Sequence, residues 1–179
     1  QVHPDYLVVV EREIYERQNS RYAELAGWNQ RCRRDQESLF ARVRPRLPGV
    51  AEWIKRRYAA MIYEDQYSPF CLVAETDPDT DAILVYLDEV FQDEPDLMVV
   101  RNSVYARFSH AAYNKGSALG EIGRQLGIGP EAVLAAGDHF NDLPMLSPRY
   151  ARWLIAPATA IDPVGEAVRQ QQRRASPLP

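Results

Sequence analysis

Two carboxylates and a carboxamide lie close together in the segment 137–142, Gly-Asp-His-Phe-Asn-Asp. They are Asp138, Asn141 and Asp142, and they follow the apolar run 132–136, which predicts a buried strand. In open α/β sheets, ligands bind at the carboxyl ends of the strands. Oxygen donors with one nearby histidine and no nearby cysteine favour Mg²⁺ over Zn²⁺. The alternative is a polar turn that ends a strand.

A lysine upstream is expected at the same edge of the sheet. Lys115 opens a predicted helix, with Gly127 as its C-terminal stop and Pro130 as the first residue of a short turn. The apolar positions that recur at helical spacing are Ala118, Leu119, Ile122 and Leu126. One helix and one strand would then bring Lys115 and the carboxylates to one rim of a parallel sheet. The alternative is a solvated cation at a helix start.

These two motifs resemble a known family. Lys-Gly-x-Ala-Leu at 115–119 and Gly-Asp-x-x-Asn-Asp-x-x-Met-Leu at 137–146 are similar to motifs three and four of the haloacid dehalogenase-like (HAD) phosphatases. The branch they resemble contains the Cof-type and sucrose-phosphatase-like enzymes. The segment 3–15 is similar to the core strand and turn that lead into an inserted cap domain in that branch.

The resemblance implies an α/β fold, with a Rossmann-like HAD core in the C-terminal portion and an inserted α+β cap domain. The expected parts are a core strand and linker at 1–18, the cap at 19–112, the core with both motifs at 113–169, and a polar tail at 170–179. From hydrophobic patterning we predict these elements: a buried parallel strand and its exit turn within 1–15, one or two helices over 19–43, a helix near 50–58, a strand at 70–74, a helix at 82–91, and strands at 97–100 and 104–108.

The same resemblance implies roles in phosphoryl transfer to an aspartate and then to water. Asp138 would bind Mg²⁺ directly, and Asp142 would be the second acid, holding a metal-bound water or the lysine head. Asn141 would orient these groups, and Lys115 would neutralise nucleophile and phosphate together. In the alternative interpretation, Asp142 caps the following turn and Asn141 satisfies the loop backbone.

The family's nucleophile motif, Asp-x-Asp-x-Thr/Val on an apolar strand, is not matched upstream of these motifs. We therefore expect the chain to belong to a longer phosphatase and to be inactive alone, with the missing N-terminal portion as its partner. The alternative is a non-catalytic HAD-derived binding or regulatory module.

The acidic segment 77–81, Asp-Pro-Asp-Thr-Asp, supports rival interpretations. A calcium loop would need glycine where Ala82 stands. A compact HAD domain without a cap, over 68–169, would use Asp77 as nucleophile and Ser103 as phosphate ligand. The third interpretation is a solvated turn of the cap that begins a helix at Thr80.

The cap would select the substrate, and the resemblance implies a phosphorylated sugar or sugar acid. Arg107, His110 and Tyr113 are the side chains we expect nearest to the substrate. Where relatives tend to carry lysine after Ser/Thr-Pro-Phe, this chain has Cys71, which removes a cationic group from the cap.

The composition is that of a globular protein and argues against nucleic-acid and membrane partners. The 179 residues are 46% hydrophobic and 26% charged, as in globular chains, and the net charge of -4 argues against nucleic acid as a partner. No apolar run approaches the roughly eighteen residues of a membrane span, so we expect no membrane partner and a cytoplasmic location. Cys32 and Cys71 have no metal-site or redox spacing and are expected to be reduced thiols.

Overall fold

A computed structural model of the protein describes residues 3–175. The helices are α1 Ala26–Val43, α2 Leu47–Lys55, α3 Asp77–Val90, α4 Lys115–Leu126 and α5 Asp162–Ala175. The strands are β1 Tyr6–Val9, β2 Glu13–Gln18, β3 Arg21–Glu24, β4 Ala60–Asp65, β5 Ser68–Ala74, β6 Leu97–Asn102, β7 Tyr105–His110, β8 Leu134–Ala136 and β9 Trp153–Ile155. Among the helices of the described part, none is long and apolar enough to cross a membrane.

The chain divides into two compact units. The first, which we call the split unit, consists of residues 1–29 and 113–179. The second, the inserted unit, consists of residues 30–112. Both motifs of the sequence analysis lie in the split unit, so the carboxylate loop and the lysine belong to one compact body.

The inserted unit contains a four-stranded antiparallel sheet in the order β4-β5-β7-β6. Alternate side chains of its central strands pack against the helices, because successive residues of a strand point to opposite faces. The shared core contains Ile54, Phe70, Leu72, Ile83, Leu87, Ala106 and Phe108. Full burial of each large apolar side chain contributes about 1.5–3 kcal/mol. This sheet and its helices form an α+β arrangement.

Most predicted elements of the inserted unit are present. The helix near 50–58 is α2, the strand at 70–74 lies within β5, and the two strands around 101–103 are β6 and β7. The strand β4 was not predicted. Helix α3 begins at Asp77 rather than at Thr80, because Thr76 caps it by accepting a hydrogen bond at Oγ1 from the Asp79 amide at 3.2 Å.

In the split unit, β8 and β9 pair in parallel, and α5 packs beside β9. Their shared core contains Ala135, Leu146, Ala151, Leu154, Val164 and Val168. Helix α4 ends as predicted, with Gly127 in the left-handed conformation at φ 66°. Pro130 opens the predicted short turn at Pro130–Ala132. Neither β9 nor α5 was predicted. Residues 170–175 of the expected tail continue α5, and 176–179 lie outside the described residues.

Two predictions about strands were wrong. The apolar run within 1–15 forms β1, which pairs antiparallel with β2 and leaves Val8 and Val9 about 40% exposed. It is not a buried parallel strand because the chain reverses directly after Val9 and returns along it. Strand β8 is also not fully buried, since Leu134 is 58% exposed on the face opposite Ala135.

The predicted helical stretch 19–43 is also shorter than expected. Its first part forms β3, which pairs antiparallel with β2, and α1 begins only at Ala26. Apolar side chains at Tyr22 and Ala23 fit either period over so short a window, so the pairing with β2 decides the structure there.

The burial of His110 predicts how the stability of the inserted unit depends on pH. The residue is 8% exposed, and its Nδ1 accepts a hydrogen bond from the Ala112 amide at 3.2 Å. Burial lowers the pKa of His110 below its usual value, although the Asp96 carboxylate opposes that shift. The unfolded chain therefore takes up a proton at His110 near pH 6.5, whereas the folded chain does so only at lower pH.

We expect the free energy of unfolding to have its highest value above about pH 6.5. It should decrease at lower pH, because His110 is protonated in the unfolded chain before it is protonated in the folded one. His110→Asn keeps an acceptor for the Ala112 amide but does not titrate. Urea unfolding of both proteins between about pH 8 and pH 5 measures the difference in their free energies of unfolding. As the pH is lowered, the variant should become more stable relative to wild type. Parallel pH profiles for the two proteins would contradict this assignment.

Candidate active site

Lys115 and Asp142 form an ion pair in the split unit. Lys115 Nζ donates to Asp142 Oδ1 at 2.5 Å, and the two side chains are 27% and 8% exposed. Lys115 is the first residue of α4, and Asp142 ends the 3-10 turn Phe140–Asp142, which follows β8. The structure therefore brings the two sequence motifs into direct contact at the carboxyl end of a parallel strand.

The start of α4 is fixed by its cap. Asn114 accepts hydrogen bonds at Oδ1 from the amides of Gly116 and Ser117, both at 3.0 Å, and Ser117 Oγ accepts from the Asn114 amide at 2.9 Å. A Cβ atom at Gly116 would lie 2.3 Å from the carbonyl oxygen of Pro144. Glycine is thus required for the helix to approach the loop closely enough for Lys115 to reach its partner.

The carboxylate loop, residues 137–142, folds around the side chain of its own last residue. Asp142 Oδ2 accepts hydrogen bonds from the amides of Asp138 at 2.9 Å and His139 at 3.2 Å. A Cβ atom at Gly137 would lie 2.5 Å from Cβ of Asp142, so glycine is needed there as well. The Asp142 side chain thus caps the turn that it ends, rather than the following turn as in the alternative interpretation, and it contacts the lysine at the same time.

These contacts keep Asp142 ionised. Burial alone would raise the pKa of Asp142, but the hydrogen bonds from Lys115 and from the Asp138 amide outweigh it and hold that pKa below its usual value. Both carboxylate oxygens already accept hydrogen bonds. The contacts match the lysine-holding role, and direct metal binding by Asp142 stays a prediction.

Asp138 is the exposed carboxylate of the loop. Its backbone is fixed, since its carbonyl accepts from the Ile161 amide at 3.0 Å, while its side chain faces solvent. The described residues contain no group of three or more ligand side chains placed to hold a metal ion. Mg²⁺ commonly takes one or two carboxylates and completes its shell with waters and phosphate. Asp138 fits such a partly hydrated Mg²⁺ ion as a single protein ligand.

Asn141 has a partner that the sequence analysis missed. Its Nδ2 donates to Glu11 Oε1 at 3.1 Å, across 130 positions of sequence. Glu11 lies in the turn between β1 and β2. A pair so far apart leaves no local pattern, so one sequence contains no signal from which this contact could have been predicted.

The three predicted substrate-binding residues lie in different units. Arg107 and His110 belong to β7 of the inserted unit and are 7% and 8% exposed. Tyr113 belongs to the split unit, where it packs edge to face on Trp28 with ring centroids 5.3 Å apart. Their joint role around a substrate stays a prediction.

The acidic segment 77–81 has a structural role. Asp77 accepts hydrogen bonds from Arg101 Nη2 at 3.1 Å and from Ser103 Oγ at 3.2 Å, and Arg101 also pairs with Asp81. The segment is the first turn of α3 and holds the turn between β6 and β7. Since these residues are helical, the calcium-loop interpretation is wrong. The strand before it, β5, is antiparallel to both neighbours, which contradicts the compact parallel core that would make Asp77 a nucleophile.

Solved structures share this fold. The sucrose-phosphatase of Synechocystis, solved with sucrose and phosphate, matches 94% of this chain with a TM-score of 0.62 and 17% identity. An IMP-bound mutant of the Plasmodium falciparum IMP-nucleotidase matches 90% of it with a TM-score of 0.57 and 12% identity. The chain spans 65% of the first protein and 46% of the second. At these identities the likeness concerns the fold alone.

Among curated proteins, no match is found. The sequence model of the haloacid dehalogenase-like hydrolases matches residues 54–171, about two thirds of the chain, and this stretch includes both motifs whose side chains meet in the ion pair. The chain therefore belongs to the haloacid dehalogenase-like hydrolase family.

Proposed function

We propose that the protein acts in a Mg²⁺-dependent phosphatase that hydrolyses a small phosphate monoester. The observation that carries the proposal is the Lys115–Asp142 ion pair beside the exposed Asp138, at the end of β8. A phosphate monoester dianion requires positive charge around its oxygens. Mg²⁺, when bound, would supply part of that charge, and Lys115 supplies another part.

The geometry leaves Lys115 able to contact a substrate. An ammonium group has three N–H donors, and Asp142 accepts one of them. Since Lys115 is 27% exposed, its other donors can reach a phosphate oxygen or a nucleophile. Asp142 keeps the ammonium group in place, because its carboxylate is fixed in turn by two backbone amides.

A phosphorylated sugar or sugar acid is the proposed substrate class. The support is the shared fold with the Synechocystis sucrose-phosphatase, whose structure contains sucrose and phosphate. Selection of the sugar is assigned to the inserted unit, with Arg107 and His110 as the candidate side chains. The cytoplasm is the proposed location, because the buried free thiols Cys32 and Cys71 persist in a reducing compartment.

The nucleophile is proposed to be none of the carboxylates described above. Asp142 has both oxygens in hydrogen bonds, and Asp77 is bound to Arg101. Asp138 is the candidate metal ligand, and its exposed side chain is not held in place for in-line attack on phosphorus. The chain by itself would then be a module that binds Mg²⁺ and phosphate without hydrolysis.

The first test of this function is substitution at the site. In whichever form of the protein releases phosphate, the 179-residue chain or the complete gene product, Lys115→Ala and Asp138→Ala should each lower turnover at least about 100-fold, since each removes a charge aimed at the transition state. Phosphate release from a panel of sugar phosphates is measured, with circular dichroism to confirm folding. Asp77→Asn, in the inserted unit, is the matched control and should retain activity. Unchanged turnover in both site variants would refute the proposal.

The second test concerns the 179-residue chain itself. We expect no Mg²⁺-dependent phosphate release from a preparation whose intact mass equals that of these residues, together with weak Mg²⁺ binding through Asp138. The reason is that both oxygens of Asp142 accept hydrogen bonds, and the exposed side chain of Asp138 is not held in place for in-line attack. Activity in such a preparation would show that the nucleophile lies within these residues, and Asp77→Asn would then test the remaining acidic segment.

A further inference from the structure

We propose that Glu11 is a positioning residue for the carboxylate loop. Its carboxylate fixes Asn141, and through Asn141 it fixes the turn that carries Asp142. The inference rests on the proposed function only where it assigns that loop to Mg²⁺ and phosphate.

The turn that carries Glu11 is strained. Val10 has φ 46° and Glu11 has φ 69°, both in the left-handed region that L-residues rarely adopt. The Arg12 amide donates to the Val9 carbonyl at 3.1 Å, which closes a tight reversal of the chain. Glycine and asparagine are the residues that suit such a turn. A branched valine and a glutamate therefore occupy positions that the backbone alone does not favour.

Contacts of Arg12 hold this turn closed. Arg12 is 2% exposed, and its Nη1 donates to the Val10 carbonyl at 3.1 Å. Its own carbonyl accepts from Trp28 Nε1 at 2.7 Å. Arg12 thus secures the reversal of the chain, while the contact between Glu11 and Asn141 joins this hairpin to the carboxylate loop.

The contact acts on the residues that form the site. Glu11 Oε1 accepts from Asn141 Nδ2 at 3.1 Å, and a hydrogen bond to an ionised acceptor is stronger than one between neutral groups. Asn141 directly precedes Asp142 in the 3-10 turn Phe140–Asp142. Holding its side chain restricts the rotation of that turn, and so restricts both the ion pair with Lys115 and the backbone of Asp138. Strain that persists beside a functional site is a known pattern.

Three variants of the 179-residue chain separate positioning from general stability. Glu11→Gly removes both the strain and the contact with Asn141. Glu11→Gln removes the charge but keeps an oxygen that accepts from Asn141. Val10→Gly removes strain from the same turn and leaves the contact intact, so it is the matched control.

Urea unfolding, Mg²⁺ titration by calorimetry and the side-chain amide signals of Asn141 in ¹H–¹⁵N spectra are measured for each protein. Glu11→Gly should unfold at a urea concentration no lower than wild type, yet bind Mg²⁺ about 10-fold more weakly, as is found when partners of metal ligands are removed. Its Asn141 side-chain signals should shift and exchange faster. Glu11→Gln should recover most of the affinity, and Val10→Gly should be more stable with unchanged affinity and unchanged Asn141 signals.

Unchanged Asn141 signals in Glu11→Gly would overturn the proposal, as would an equal loss of Mg²⁺ affinity in Glu11→Gly and Val10→Gly. If wild type binds no Mg²⁺, the Mg²⁺ site proposed for this chain fails, and the Asn141 signals still decide the role of Glu11. A shift of those signals in Glu11→Gly that Val10→Gly does not reproduce supports positioning in either case.

Discussion

The split unit is organised around a carboxylate that is almost removed from solvent and yet ionised. Burying a charge is unfavourable unless hydrogen bonds replace the lost hydration, and breaking such a pair leaves an uncompensated charge behind. Asp142 meets this requirement with one ammonium group and two backbone amides. The cap of α4, the sharp turn after β8 and the spacing of the two motifs all follow from the need to bring these donors to one side chain.

Two glycines leave the space that these donors need to reach Asp142. Gly116 lets the first turn of α4 approach the Pro144 carbonyl, and Gly137 makes room for the Asp142 side chain. Any other residue at either position would push the lysine and the carboxylate apart. The glycine after the lysine and the glycine before the first aspartate are therefore steric conditions of the ion pair, which explains why these residue types occur at these places in the motifs.

The elements that could be predicted from the sequence are those determined by residues close together in the chain. The α4 start at Lys115, its stop at Gly127 and the β6–β7 hairpin can be predicted from periodicity and capping residues alone. The direction of β1 could not, because an apolar run looks the same in a parallel strand and in a hairpin. The α3 start at Asp77 was missed because its capping residue, Thr76, lies directly before an acidic run that fits a turn equally well. The contact between Glu11 and Asn141 joins residues too far apart for any local pattern to reveal.

The acidic residues of the chain have distinct environments, and these environments separate their roles. Asp142 is buried and has a lowered pKa, so it can hold a cation but offers no unoccupied oxygen for attack. Asp77 is bound by the Arg101 guanidinium in the other unit. Asp138 is exposed on a fixed backbone, which is the combination a hydrated metal ion can use. A nucleophile needs a third environment, in which an ionised carboxylate is fixed in place and keeps one oxygen without a partner. None of these three aspartates meets that condition, so sequence similarity to the motifs and the capacity to attack phosphorus are separate properties of this chain.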